Sequence, residues 1–223
     1  MTRLRSYLHD IRTLPADAML GYRNEGARGV WKSVAARSLH RLVRGGRLIV
    51  FAHPLEVKRD LELPAGVAIT SASEQDWTAL AGMVGQRELS RFGALHAKGR
   101  RCLIAWRGNK PVGYAWVANE IGPDVTLWPF PVQFPRTAAY LWNLYVLPSE
   151  RSSGIGSALA HARLQLAREM GFREAWRMVA PSNTASLRTV RKSATATRVV
   201  GNITFIQLLN RTYARFTPYA VGA

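Results

Sequence analysis

Residues 144–172 read LYVLPSERSSGIGSALAHARLQLAREMGF. The stretch opens as an apolar strand and breaks at Pro148. It then passes through Arg151-Ser-Ser-Gly-Ile-Gly156 into a helix that apolar spacing carries to Met170. Gly171 stands where a left-handed C′ residue ends a helix, with Phe172 placed to pack back. A helix N-terminus has four backbone N–H groups without intrahelical partners and about half a positive charge. Acids commonly answer that need, yet here the last acid before the helix is Glu150 and the next is Glu169. Gly154 and Gly156 lack a Cβ, so a bulky anion can approach the backbone. Ser152, Ser153 and Ser157 add hydroxyl donors, and Arg151 adds a charged fork suited to phosphate oxygens. The turn therefore favours a phosphate or pyrophosphate.

Two common phosphate-binding patterns do not fit. A P-loop needs a lysine after its second glycine, and none is present. A dinucleotide fingerprint needs a third glycine where Leu159 stands, and Glu174 does not end a second strand as that motif requires.

The surrounding chain alternates strands and helices. Strands are expected at Val67–Ser71, Arg101–Trp106, Val112–Ala118, Ala138–Leu147, Glu174–Ala180, Thr197–Val200 and Ile203–Leu209. Helices are expected at Glu74–Val84, capped by Ser73, at Glu88–Lys98 and at Thr184–Lys192. Arg107–Pro111 has the composition of a hairpin turn, and the proline-rich stretch Ile121–Arg136 reads as a long loop. Residues 1–62 read as a basic extension and residues 63–223 as the main domain. Within the extension, Val30–Val43 has an apolar stripe interleaved with arginines, Gly45-Gly46 reads as its stop, and Arg47–Phe51 as a strand. Such a helix can pack on its own domain or lie on an anionic membrane.

The order of strand, V-x-P, R-x-x-G-x-G and amphipathic helix resembles motif A of the Gcn5-related N-acetyltransferases, the GNAT family. Val67–Trp77 and Cys102–Val117 look like that family's first three strands, and Pro181-Ser-Asn183 with its short helix resembles the segment carrying the family's asparagine. The resemblance covers about residues 63–210. It implies an α/β fold with a mixed, mostly antiparallel twisted sheet flanked by helices, preceded here by the helix–strand extension. It also implies acetyl-CoA as co-substrate. By match, Arg151, Ser152, Ser153, Gly154, Ile155, Gly156 and Ser157 would hold its pyrophosphate. Leu144, Tyr145 and Val146 would pair with pantetheine beside a bulge, with the Leu144 N–H directed at the thioester carbonyl. Asn183 would meet the pantetheine arm, although its position also suits a helix cap.

The implied reaction is direct attack of an amine on the thioester. At pH 7 freeing the lone pair of an alkyl ammonium costs roughly 4 kcal/mol, which a general base offsets in part. Simple strand alternation puts Tyr140, Trp142 and Leu144 on one face. Tyr140 is thus either a proton relay or a packed aromatic. Glu120 is either a base or a solvated acid at a strand end. Many family members carry a tyrosine as acid in the helix after the asparagine. Here that position is Val190, and the glycine that usually follows is Ala194. This departure keeps a non-catalytic acyl-CoA-binding or membrane-surface module among the alternatives.

Bulk properties narrow the setting. The 48% hydrophobic and 20% charged composition is that of a folded globular chain. No apolar run approaches the roughly 18 residues of a membrane span, and the N-terminus MTRLRSYLHDIRTLP has no secretory pattern. The lone Cys102 precludes an intrachain disulfide and fits a reducing, cytoplasmic setting. The five histidines have no ligand-like spacing, so no metal is expected. The net charge of +17, with no acid after Glu174, suits a polyanion, RNA or an anionic membrane surface as partner. The acceptor is thus expected to be a small-molecule amine or, alternatively, an RNA-borne amine such as aminoacyl-tRNA.

Overall fold

The computed structural model describes residues 18–19, 22–23, 26–27, 30, 43–56, 63–120, 134–192, 197–208 and 211–219. The strands are β1 (Val43–Pro54), β2 (Val67–Ser71), β3 (Arg101–Arg107), β4 (Lys110–Ala118), β5 (Ala138–Val146), β6 (Glu174–Val179), β7 (Arg198–Leu208) and β8 (Arg211–Pro218). The helices are α1 (Asp76–Leu80), α2 (Gln86–Ala97), α3 (Ile155–Glu169) and α4 (Thr184–Lys192). Among the described residues the strands form one sheet in the order β2-β3-β4-β5-β6-β1-β7-β8. Every neighbouring pair is antiparallel except β5–β6, whose parallel crossover is α3.

Period-2 alternation gives the sheet two apolar faces. On one, Leu80 of α1 and Phe92 and Leu95 of α2 pack on Cys102, Ile104, Trp116, Tyr140 and Trp142. Trp116 is fully enclosed, stacked on Trp77 at 6.1 Å and met edge-on by Phe92 at 5.0 Å. Rings in these arrangements gain about 0.5–1.5 kcal/mol beyond their area burial. On the other face, Ile155, Leu159 and Ala162 of α3 cover Leu103, Ala105, Ala115 and Val146. Val190 of α4 meets Phe51 and Val179 there.

Helix α3 ends as its sequence foretells. Gly171 has φ +87° and donates to the Arg168 carbonyl, while the Phe172 N–H reaches back to Ala167. These are the paired bonds of a Schellman motif. The β3–β4 hairpin turns through Gly108, at φ +55°.

Several expectations are corrected. Gly45-Gly46 does not stop a helix; both residues lie in β1, opposite Ile206 and Phe205. The expected helix Val30–Val43 lies outside the described residues apart from its ends, and Val43 is already strand. Strand β1, assigned by sequence to the extension, is an interior strand between β6 and β7. The Ser73 side chain does not cap α1 in the expected sense. Its N–H and hydroxyl both donate to the Asp76 carboxylate, at 2.7 and 2.8 Å. The two strands expected over 197–209 are one continuous strand, β7, and β8 has no counterpart among the expected strands. Most of the long loop, residues 121–133, lies outside the described residues.

Candidate active site

Strand β5 changes character halfway along. Tyr145 and Val146 pair with Tyr114 and Gly113 of β4, and Trp142 pairs with Trp116. Asn143 and Leu144 therefore stand opposite Ala115 alone, which is a β-bulge. Asn143 has φ +46°, a conformation that asparagine tolerates better than most residues. The extra residue inverts the alternation. Tyr140 and Trp142 face α1 and α2, but Leu144 packs with the α3 cluster. The expectation that Tyr140, Trp142 and Leu144 share one face is thus overturned by the bulge.

On its other edge β5 pairs with β6 only from Ala138↔Glu174 to Tyr140↔Trp176. Beyond that pair the two strands diverge, leaving a wedge whose β5 side runs from Leu141 to Val146. Backbone groups along that side face no neighbouring strand, so an extended ligand can pair with them.

The wedge leads to the Gly-rich turn. Gly154 is the N-cap of α3 at φ +88°, no side chain caps the helix, and its first turn holds no acid. Glu150, the nearest acid, is drawn aside by Arg107, whose Nη2 and Nε lie 3.0 and 3.2 Å from its Oε2. Ser153 has a different task from the one expected of its side chain. Its hydroxyl donates to the Glu150 carbonyl at 2.6 Å, bracing the turn. The Ile155 side chain is buried beneath the turn, so only its backbone can meet a ligand. Ser152, at φ +67°, and Ser157 are exposed. Arg151 donates from Nε to the Val146 carbonyl at 3.3 Å, with its guanidinium 5.9 Å from the Tyr145 ring centre. The turn thus brings together Arg151, Ser152, Gly154, Gly156 and Ser157 at an uncapped helix start.

The other expected residues fare unequally. Asn183 caps α4, its Oδ1 accepting from the Ser186 N–H at 3.1 Å, which leaves the Nδ2 hydrogens for another acceptor. Tyr140 is buried, stacked on Trp142 at 6.0 Å and met edge-on by Phe134 at 6.2 Å. Burial raises its hydroxyl well above the ordinary phenol range, so it stays protonated near neutral pH. Glu120 is held by Arg100, Nη2 to Oε1 at 2.8 Å, and its side chain remains 70% exposed. It lies beyond Ala118, which pairs with Tyr140, whereas Leu144 lies the opposite way along β5. That separation exceeds roughly 13 Å, the rise of four strand residues. Glu120 and Leu144 are therefore not brought together. Val190 is buried against Phe51 and Val179 and supplies no acid.

Three residues at the narrow end of the wedge escaped sequence reading: His53, Arg163 and Arg177. Each is buried despite being polar. Their sequence neighbours carry no motif, and only tertiary contact unites them.

A bulged strand splayed from a parallel neighbour, followed by an uncapped Gly-rich helix start, is the geometry of the site. The matching family model is described as Acetyltransferase (GNAT) family and covers residues 67–194. The chain belongs to that family and is an acetyltransferase. Similar solved structures include a Drosophila protein from a structural-genomics programme, 15% identical, with 84% of this chain and 68% of that one covered at a TM-score of 0.55. A GCN5-related N-acetyltransferase from Sphaerobacter thermophilus is 16% identical, with 86% and 58% covered at a TM-score of 0.51. A GCN5-related glucosamine N-acetyltransferase region of a fungal multi-domain β-N-acetylglucosaminidase is 12% identical, with 77% and 22% covered at a TM-score of 0.50. No curated protein matches the sequence.

Proposed function

We propose that the chain transfers an acetyl group from acetyl-CoA to a primary amine by direct attack in a ternary complex. The observation that carries this reading is the continuous path from the β5 bulge, along the wedge, to the uncapped start of α3. Pantetheine lies along Leu144–Val146, and the pyrophosphate meets the amides and hydroxyls of residues 151–157. The Leu144 N–H, turned from the ladder by the bulge, stabilises the oxyanion of the tetrahedral intermediate. The Nδ2 of Asn183 donates to the pantetheine arm.

The amine nitrogen bonds to the thioester carbon, the C–S bond breaks, and CoA departs as a thiolate. With Val190 at the usual acid position, no side chain need protonate it, since a thiol of pKa about 8.5 leaves as an anion. Glu120 lies far along the sheet from Leu144, paired with Arg100, and Tyr140 keeps its proton, so water carries off the ammonium proton. The acceptor is a small amine; the net charge of +17 favours an amine carried on RNA as the second class. The lone, buried Cys102 supports a cytoplasmic setting.

A Gly156→Glu substitution tests the reading. A Cβ at 156 would meet nothing closer than Val146 at 3.8 Å, so the fold tolerates it. The new carboxylate would occupy the place of the pyrophosphate. CoA affinity by calorimetry should fall at least about a hundredfold with little change in Tm. Unchanged affinity would overturn the assignment. Thiol release against a panel of amines, aminoacyl-tRNA included, then identifies the acceptor.

A further inference from the structure

Arg163 projects from the middle of α3 into the protein rather than out of it. It is 3% exposed, its Nη1 donates to the Trp142 carbonyl at 3.2 Å, and its Nε has no partner among the described residues. Among the described residues no carboxylate meets it. Arg177 of β6 lies close enough to repel it and itself donates from Nε to Nε2 of His53 at 2.8 Å. Because that His53 nitrogen accepts, Nδ1 carries the hydrogen and donates to Thr197 Oγ1 at 2.7 Å. His53 is therefore neutral and offers Arg163 no counter-charge. Burial, then Arg177, pull the Arg163 pKa down to about 9, which still leaves it charged at neutral pH. A buried cation with an unused donor is costly, and such groups persist where function requires them. Ala162 and Ala167 of the same helix show that small apolar residues suit this interface.

The location of the guanidinium gives it a use. Pairing of β5 with β6 ends at Tyr140↔Trp176. Trp142 stands two residues past that point on β5, and Arg177 one residue past it on β6. Arg163 thus closes the narrow end of the wedge. Leu144 lies two residues farther toward the open end, and the bulge, which sets Trp142–Tyr145 against Trp116–Tyr114, shortens that step to about 5 Å. The Arg163 Nη1 stands another 3.2 Å from the Trp142 carbonyl oxygen, so a short chain of about three carbon–carbon bonds ending in a charge-assisted hydrogen bond of about 2.8 Å has the length needed to join the two.

We propose that Arg163 binds the terminal carboxylate of an acyl chain. The protein would then accept, besides acetyl-CoA, a dicarboxylic monothioester of succinyl length, and would prefer it to a neutral chain of equal length. This rests on reading the wedge as the thioester slot. The transfer step is unchanged: the amine nitrogen bonds to the thioester carbon, the C–S bond breaks, the thiolate takes the electron pair, and one ammonium proton passes to water.

Calorimetric titration of the full chain with CoA, butyryl-CoA and succinyl-CoA tests the two readings separately. Succinyl-CoA should bind ten- to a hundredfold tighter than butyryl-CoA, the range of a charge-assisted bond. In Arg163→Met that ratio should fall to about one, and Arg163→Lys should retain part of it. Should Arg163→Met fail to fold, the wild-type ratio decides alone. Tight CoA binding with butyryl-CoA equal to or better than succinyl-CoA overturns this proposal and leaves the acetyl-CoA reading standing. Failure of CoA itself to bind overturns both.

Discussion

The two glycines that open α3 answer to different demands. Gly154 must adopt φ +88°, where an L side chain is strained, and a Cβ there would also stand 3.3 Å from Pro64. Gly156 is under neither constraint, and under the proposed reading its missing side chain leaves room for the pyrophosphate. Asn143 shows a third demand. At φ +46° it holds the bulge that turns Leu144 out of the β4 ladder. Valine is strongly disfavoured in that conformation, at a cost of roughly 1–2 kcal/mol, whereas glycine adopts it freely. Asn143→Val should therefore lower stability by about that amount and weaken CoA binding at least about tenfold, because relief of the strain reseats the pantetheine-pairing groups. Asn143→Gly should keep CoA affinity within a few-fold of wild type. Equal affinity in all three proteins, measured by calorimetry, would remove the bulge from the site.

At the scale of elements, segments bounded by local signals could be read, whereas those fixed by distant pairing could not. Val67–Ser71 and Thr184–Lys192 occupy their expected ranges because each lies between local punctuation: Gly66 before β2, and Pro181 and the Asn183 cap before α4. The bulge was legible in principle, since Asn143 is the one strongly polar residue in an apolar strand. The register inversion it causes was not, because period-2 counting assumes an unbroken ladder. Strand β1 was misjudged for a different reason. Its partners, β6 and β7, lie more than a hundred residues away, and no local pattern reports so distant a pairing. In β7 the pair Gly201-Asn202 mimics a turn, yet Gly201 serves close approach. A Cβ there would collide with the Thr217 carbonyl oxygen and lie 2.7 Å from the Phe216 ring. Gly201→Ala must push β8 off β7, costing about 1–3 kcal/mol as other overpacked sites do. A lower urea midpoint with an unchanged m-value would bear this out. An unaltered midpoint would mean that β8 adds little to the sheet.

Across the whole molecule, positive charge is not confined to the surface. Arg163 of α3 and Arg177 of β6 are buried together with His53, which part-buried Thr197 meets, and this shapes the response to acid. Burial, then Arg177 and Arg163, lower the His53 pKa from 6.5 to about 3. Above pH 6.5 the ring is neutral whether the chain is folded or unfolded, so it contributes no slope. Between pH 6.5 and about 3 the unfolded chain binds a proton that the native protein refuses, so stability falls as pH falls. The slope from this one group is at most about 1.4 kcal/mol per pH unit, and it ends below the folded pKa. Acidic residues that lose native ion pairs add their own slope at the lower end, so the comparison requires a variant. His53→Gln retains an acceptor for the Arg177 Nε and does not titrate. Urea denaturation from pH 7.5 to 4.5 should show wild type losing stability faster than His53→Gln, the difference opening as pH drops through 6.5. Parallel curves would mean that the His53 ring takes up a proton inside the native fold, and that the buried cluster holds an anion able to balance a third positive charge.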